Sequence, residues 1–187
     1  MMYQLKITLN GITFPIWRRL LISENISLYK LHHIIQESFG WTNSHLYYFG
    51  DMESKIGDVH LWNDNETQPD RLIKIRDVLN NENPKLTYTY DMGDDWVHTI
   101  VLEQVLPTMK TQRKCIGGGR RCPPEDCGGI RGYYEIWKTL KHPGTDEYDE
   151  MIEWLDGKVD PEFIDIRMIN DHLALLGEYI REYEEGE

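Results

Sequence analysis

Three cysteines lie close together in the second half of the chain, and their thiols are candidate metal ligands. Cys115 is followed by Cys122 and Cys127. Structural zinc sites often pair ligands two to four residues apart and take further ligands from elsewhere in the chain. With His98 as the distant fourth ligand, the three thiols are a candidate site for zinc or another divalent metal. Two alternatives stay open: buried thiols that act as small apolar side chains, and a disulfide.

The segment around these cysteines also carries charges and glycines. Glu125 and Asp126 follow two prolines, so they either belong to a site or bond to the backbone N–H groups of a turn. The run Gly117–Gly119 is followed by Arg120 and Arg121, and such a run can form an anion-binding nest. The segment lacks the Lys-Ser/Thr ending of a phosphate-binding P-loop.

A second candidate site is an acidic hairpin earlier in the chain. Asp91, Asp94, Asp95 and His98 lie within eight residues. Carboxylates beside an imidazole suit a divalent metal that activates water, and a histidine can also act as a general base. Against this, aspartate and glycine are the residues that hairpin turns require. His98 alternates in phase with Trp96, so it also fits a histidine of the core.

Three other residues join the candidate site: Arg18, Trp96 and Tyr133. Arg18 alternates with apolar residues of a predicted strand, and if it is buried it requires a carboxylate partner. Asp94, Asp95, Glu125 and Asp126 are the candidates for that partner; otherwise Arg18 is solvated. Three further histidines give no specific signal alone: His32 on the apolar side of a helix, His33 facing outward, and His45 at the start of a strand.

Length and composition predict one domain over residues 1–187. Apolar residues make up 40% of the chain, which is typical of a globular protein. Fifteen acidic and three basic residues follow Gly144, so this segment accounts for the whole net charge of −12. Such a charge disfavours nucleic acid as a partner. The acid-free stretch between Gln104 and Pro124 holds five basic residues, which leaves local contact with nucleic acid open.

The elements that must position these residues follow from periodicity. Alternation predicts strands at residues 3–9, 16–22, 45–49, 85–90 and 96–106, with a short one near Val59–Trp62. Helical spacing after Ser27 predicts a helix that ends at Gly40. We therefore expect a sheet-rich part over 1–106, a Pro/Gly/Cys connecting loop over 107–132, and an acidic helical part over 133–187 that includes a helix start at Asp160-Pro161. The fold class is α+β, with a mostly antiparallel sheet, one early helix packed on it and a C-terminal helical segment.

The sequence gives a prediction of location as well. No apolar run reaches membrane-spanning length, and no secretory signal is recognisable at Met1–Lys6. We therefore expect a cytoplasmic protein whose thiols stay reduced, with no membrane partner.

Four motifs give the chain a family resemblance. They are Phe14-Pro-Ile-Trp-Arg-Arg19; Leu31-His32 with Phe39-Gly-Trp41 and His45-Leu46; Tyr88-x-Tyr-Asp-x-Gly-Asp-Asp-Trp-x-His98; and Cys122-Pro-Pro-Glu-Asp-Cys-Gly-Gly129 with Gly132-Tyr133. In order and spacing they resemble the plasmid pRiA4b ORF-three-like family, as does the later run through Trp154 and Asp160–Phe163 to Asn170. Val159 stands where a phenylalanine is expected. The resemblance implies an α+β domain of uncharacterised function, and an association with mobile elements.

These observations leave three functions open, and whether the protein is an enzyme is undecided among them. The first is a non-catalytic domain that binds a small molecule or a protein through a polar and aromatic site made by the 91–98 hairpin and the 115–129 loop. The second is a metal-dependent hydrolase that uses Asp91, Asp94, His98 and Glu125 or Asp126. The third is a mobile-element accessory protein that contacts nucleic acid through residues 110–121 and Arg131.

Overall fold

The computed structural model of the chain describes residues 1–62, 64–107, 113–157 and 159–185, with the backbone alone at 179 and 181–185. Its strands are β1 Met2–Leu9, β2 Trp17–Ser23, β3 Tyr47–Phe49, β4 Ile56–Gly57, β5 Gln68–Pro69, β6 Lys85–Tyr90, β7 Trp96–Leu106 and β8 Lys114–Gly119. Its helices are α1 Leu28–Phe39, α2 Val59–Trp62, α3 Ile75–Val78, α4 Gly129–Thr139, α5 Asp146–Trp154 and α6 Ile166–Glu185.

The strands form one sheet in the order β5-β4-β3-β6-β7-β1-β2-β8. Its pairs are antiparallel except for the short parallel pair β4–β5. The predicted α+β class with a mostly antiparallel sheet is therefore confirmed. The predicted hairpins form as well, since β1 pairs with β2 and β6 pairs with β7 around residues 91–95.

Helix α1 covers one face of this sheet and begins and ends where the sequence predicts. The Ser27 side chain accepts a hydrogen bond from the Lys30 N–H, and Gly40 ends the helix in the left-handed conformation that glycine adopts without strain. The buried side chains of α1 belong to the same apolar core as those of β1, β2, β6 and β7. The end of α1 contacts β2 and β7, since Ser38 accepts a hydrogen bond from Arg18 and Phe39 packs against His98.

The C-terminal helical part packs against β8, an edge strand of the sheet. Asn170 on α6 forms two hydrogen bonds with the backbone of Cys115 on β8, one accepted at 2.8 Å and one donated at 2.9 Å. Residues Ile169, Leu173, Leu176 and Ile180 form the buried stripe of α6. Helical spacing in the sequence predicts a stripe of these four residues with Tyr183, whose side chain lies outside the described residues.

Four predictions about local structure are wrong. Val59–Trp62 is a short helix, not a strand. Residues 107–132 are not a continuous loop, because Lys114–Gly119 pairs with β2 and α4 already begins at Gly129. Asp160-Pro161 lies in a turn, and the helix begins later, at Ile166. His33 does not face outward; it is buried, and its ring packs edge-on against that of Tyr29.

Candidate functional site

The acidic hairpin and the cysteine loop contact each other directly. The backbone N–H of Gly128 donates to Oδ2 of Asp94 at 3.2 Å. Gly129 packs so closely that a Cβ there would lie 2.8 Å from the carbonyl oxygen of Asp94, and its φ of +67° is one that glycine adopts freely. The two segments thus form one structural unit, although they are about thirty residues apart in the sequence.

Glu125 connects this unit to a third segment, the loop between α1 and β3. Its Oε1 accepts hydrogen bonds from the Thr42 N–H at 2.8 Å, the Thr42 hydroxyl at 3.1 Å and the Tyr90 hydroxyl at 3.0 Å. Trp41 adds a third hydrogen bond between the two loops, since its indole N–H donates to the carbonyl oxygen of Pro123. These contacts fix residues 41–45 beside the loop 122–129.

His45 lies at the centre of the three segments. Its Nε2 lies 3.3 Å from Asp126 Oδ1, 3.7 Å from Asp91 Oδ2 and 3.9 Å from Glu125 Oε2. Nε2 of His45 and Oε2 of Glu125 are both buried, and neither has a hydrogen-bond partner among the described residues. Ligand atoms of His45, Asp91 and Asp126 all lie within 4.8 Å of one another, a spacing that one divalent cation can span.

Asp91 is held in place by its own turn. Its Oδ1 accepts from the backbone N–H groups of Gly93 and Asp94, which is the turn chemistry that the sequence suggested. That leaves Oδ2 on the His45 side, while the residue as a whole is 5% exposed. Asp95 is exposed, and its backbone N–H completes the same turn by bonding to the Asp91 carbonyl oxygen.

His98 and Trp96 lie in the core, away from this group. His98 is fully buried, its Nδ1 faces the carbonyl oxygen of Tyr88 at 3.3 Å, and its ring packs edge-on against Phe39 and Trp41. Burial lowers the pKa of His98 to about 3. Trp96 is likewise fully buried. The imidazole beside the carboxylates is therefore that of His45 and not that of His98.

Arg18 is buried as its strand register requires, but the expected carboxylate partner is wrong. It is 2% exposed. Its Nε donates to the carbonyl oxygen of Ser38, its Nη1 donates to those of Trp17 and Gly119, and its guanidinium lies over the Phe39 ring. Its hydrogen-bond partners among the described residues are carbonyl oxygens. The positive charge is therefore solvated by dipoles and an aromatic ring, without a counter-ion in the described part of the chain.

The three cysteines do not form a ligand group within the described residues. All are free thiols. Cys115 donates to the carbonyl oxygen of Gly117 on β8, and Cys127 donates to that of Gly129. Burial raises the pKa of Cys122 and of Cys127 to about 12, and it raises that of Cys115 as well. In the described ranges, the set close enough to share an ion is that of His45, and it contains no cysteine. The thiol site stays a prediction without support from this arrangement.

A cavity of about 580 Å³ opens next to the His45 group. Glu125 and Asp126 line it together with the end of α1, the buried face of α4 and the N-terminal part of α6. Tyr133 contributes a wall; it is 2% exposed, and its hydroxyl donates to the carbonyl oxygen of Arg121. Arg18 also lines the cavity. Hence two groups of predicted site residues, Glu125-Asp126 and Arg18-Tyr133, border the same space.

The basic segment proposed to contact nucleic acid is partly neutralised. Arg120 lies 3.0 Å from a carboxylate oxygen of Glu162, and its guanidinium lies over Phe14. Arg113, Lys114 and Arg121 are described, whereas Lys110 lies outside the described residues. Nucleic-acid binding stays a prediction that no contact described here favours.

Sequence reasoning missed His45 as a member of the site. The residue is 46 positions from Asp91 and 81 from Asp126, so no local spacing connects them. A signal was present in the motif His45-Leu46, but in the sequence it looked like the start of a strand. Contacts between distant segments bring the histidine to the carboxylates: the Asp91 N–H donates to the Leu46 carbonyl oxygen, and Glu125 accepts hydrogen bonds from Thr42 and Tyr90.

The fold and the site define a class: an α+β domain with a histidine–carboxylate group beside a cavity that Glu125 and Asp126 line. The chain belongs to the plasmid pRiA4b ORF-3-like protein family, whose model matches residues 1–168. It is 33% identical over 153 residues to the uncharacterized protein y4hQ of Sinorhizobium fredii, covering 81% of this chain and 79% of that protein. It is also similar to the crystal structure of a protein of unknown function, MM3350, from Methanosarcina mazei Go1. That match has a TM-score of 0.80 and 34% identity, and it covers 89% of this chain and 96% of the other.

One further property concerns membranes. Within the described residues, none of the helices combines the length and the apolarity needed to cross a bilayer.

Proposed function

We propose that this chain is a non-catalytic binding domain whose small-molecule ligand occupies the cavity beside the 122–129 loop. The observation that carries the proposal is the composition of the cavity wall. Large apolar side chains that are half exposed, Trp154, Phe163 and Met168, stand at the same opening as buried polar groups. A volume of about 580 Å³ is within the range of small-molecule sites, which are mainly apolar with a few well-placed polar groups. A cytoplasmic location stays the prediction made from the sequence.

Two tryptophan substitutions on α6 test this proposal. Met168 is 52% exposed and lines the cavity, whereas Leu175 is 60% exposed and does not. A panel of small aromatic and branched aliphatic fragments is screened by ligand-observed NMR. Fragments that bind the wild-type protein should bind Met168→Trp about tenfold more weakly, since the indole occupies the space, and should bind Leu175→Trp unchanged. A screen in which no fragment distinguishes the two variants would contradict the proposal.

A second candidate function is metal-dependent hydrolysis at His45, Asp91 and Asp126. It is favoured by the unpartnered buried atoms, His45 Nε2 and Glu125 Oε2, which face the same small space. One imidazole and two carboxylates are ligands that Zn²⁺ and Mn²⁺ accept, and when bound such an ion would activate a water molecule. Glu125, which Tyr90 and Thr42 hold in position, would then be the nearby group able to accept a proton.

Removing the imidazole tests the metal hypothesis. We expect untagged protein, stripped with chelator and dialysed, to gain thermal stability with Zn²⁺ or Mn²⁺, because the ion binds only the folded state. His45→Ala should lose that gain, whereas His142→Ala, which removes an exposed histidine after α4, should keep it. Equal gains in both variants, or none in the wild type, would exclude a metal site at His45. Elemental analysis of the purified protein provides the independent measurement.

A further inference from the structure

The buried arginine at the cavity identifies a class of ligand, provided that the cavity is the binding site proposed above. Arg18 has five N–H donors, and the described contacts use three of them: one on Nε and two on Nη1. The nitrogen Nη2 has no hydrogen-bond partner among the described residues. A buried charge without a counter-ion is costly, and a guanidinium stays charged at every physiological pH.

The residues around Arg18 favour an anion that arrives through the cavity. Arg18 is 2% exposed and lines the cavity, so what reaches it must enter by that opening. Its carbonyl partners, Trp17, Ser38 and Gly119, come from β2, α1 and β8, and they fix the guanidinium from three sides. A fixed guanidinium with free N–H groups suits a carboxylate oxygen, because charge-assisted hydrogen bonds of this kind are about twice as strong as neutral ones.

The rim of the cavity limits how much negative charge the ligand can carry. Exposed or half-exposed acidic residues line it: Glu37, Glu125, Asp126, Asp156 and Asp165. The arginines beside them are Arg121, which is exposed, and Arg18, and His172 lies 3.2 Å from Glu37. These carboxylates repel a dianion such as a phosphate ester more strongly than a monoanion, although solvent and salt screen the effect. The walls beyond Arg18 are apolar, with Ile136, Leu140 and Ile164 among them.

We propose that the cavity binds a monocarboxylate with an aromatic or branched apolar body, whose carboxylate accepts hydrogen bonds from Nη2 of Arg18. The apolar body lies between α4 and α6, against Ile136 and Met168. The ligand thereby supplies the counter-ion that the described chain does not provide to Arg18.

Matched probes test the proposal by calorimetric titration: 1-naphthylacetate, its neutral isostere 1-naphthylacetamide, and the dianion 1-naphthyl phosphate. The acetate should bind about tenfold to a hundredfold more tightly than the amide, since a hydrogen bond between charged groups is replaced by a neutral one. The phosphate should bind more weakly than the acetate. Acetate and amide that bind equally would overturn the carboxylate assignment while leaving the cavity proposal intact. If neither bound, or if both bound Met168→Trp as well as the wild type, the cavity proposal itself would fail.

Substitution of Arg18 tests the same contact from the protein side. In Arg18→Met, which removes the charge, the acetate should lose its advantage over the amide while the affinity for the amide stays within about threefold. Circular dichroism establishes that the variant is folded. If it does not fold, crystals of the wild-type protein with 4-iodophenylacetate decide the question by anomalous scattering. The proposal requires the carboxylate within hydrogen-bond distance of Arg18 Nη2, and an iodine peak outside the cavity rejects it.

Discussion

We expect the free energy of unfolding to decrease steeply as the pH falls from about 6.5 to about 4, before most carboxylates are protonated. Three histidines cause this: His32, His33 and His98. Burial lowers the pKa of His33 to about 4 and that of His98 to about 3, and it lowers the pKa of His32 well below its ordinary value. In this window the unfolded chain binds protons that the folded chain does not, so stability falls with decreasing pH.

The surroundings of His32 explain why it stays neutral. Its Nε2–H donates to the side-chain oxygen of Asn43, and its Nδ1 accepts from the hydroxyl of Tyr88. Tyr88 in turn accepts from the amide of Gln36, whose oxygen accepts from the backbone N–H of Asn43. The hydrogen bonds close a ring of four residues under α1. A proton added at Nδ1 of His32 would break this ring and place a charge in the core.

Two carboxyl groups with shifted pKa values also contribute to the pH dependence. Glu103, whose pKa is lowered by its hydrogen bonds with Arg19, loses its contribution only as the pH falls through and below 4.5. Asp70 acts in the opposite sense, because burial raises the pKa of its carboxyl and the folded state therefore retains a proton there.

Urea denaturation between pH 4.5 and 7.5, followed by tryptophan fluorescence, measures the slope of stability against pH. Each buried neutral histidine contributes up to about 1.4 kcal/mol per pH unit. His98→Asn, which retains a donor near the Tyr88 carbonyl oxygen, should lower the slope by about the contribution of one histidine. His142→Gln changes an exposed side chain and should leave the slope as it is. A His98→Asn slope equal to that of the wild type would show that His98 does not titrate on unfolding.

Local patterns predicted the scaffold of this protein because they describe single elements. The alternation of Tyr3, Leu5, Ile7 and Leu9 corresponds to a strand with one buried face, and Ser27 and Gly40 mark the ends of α1. Strand β8 was missed since Gly117–Gly119 carry no side chains that signal a strand. The reason lies in packing: the ring of Trp17 covers Gly117 and Gly119, and a Cβ at Gly119 would lie 2.7 Å from its Nε1. The side chain of Trp17 on β2 thus determines which residues fit on β8.

Part of the candidate site was predicted because its residues are grouped in short local segments. Asp91, Glu125 and Asp126 were identified from residue type and local spacing, and the structure brings them together. His98 was chosen as their imidazole because it is close in sequence, although alternation places it on the buried face of β7. The imidazole that actually lies beside these carboxylates is that of His45, and its position depends on the hydrogen bonds between the 41–45 loop and Glu125. Such a contact between distant segments leaves no periodic signal in the sequence.

Replacing Gly132 by alanine is expected to lower the free energy of unfolding by about 3 kcal/mol. A Cβ at this position would lie 1.7 Å from the carbonyl oxygen of Cys127, far inside van der Waals contact, and a backbone atom cannot turn aside as a side chain does. The loop 122–129 would have to move off α4. The gain of about 1 kcal/mol from replacing glycine inside a helix is smaller than this strain.

Gly177→Ala provides the matched control, because Gly177 also lies within a helix. Its added Cβ would meet Nη2 of Arg113 at 3.2 Å, the end of a flexible side chain that can shift. This variant should be as stable as the wild type or up to about 1 kcal/mol more stable in urea denaturation. Equal destabilisation of both variants would mean that contact with Cys127 is not what Gly132 provides. The two variants also test whether ligand binding depends on the position of the loop 122–129. Glu125 and Asp126 belong to this loop, which Gly132→Ala displaces. At temperatures where both variants are folded, only Gly132→Ala should therefore weaken Zn²⁺ or fragment binding.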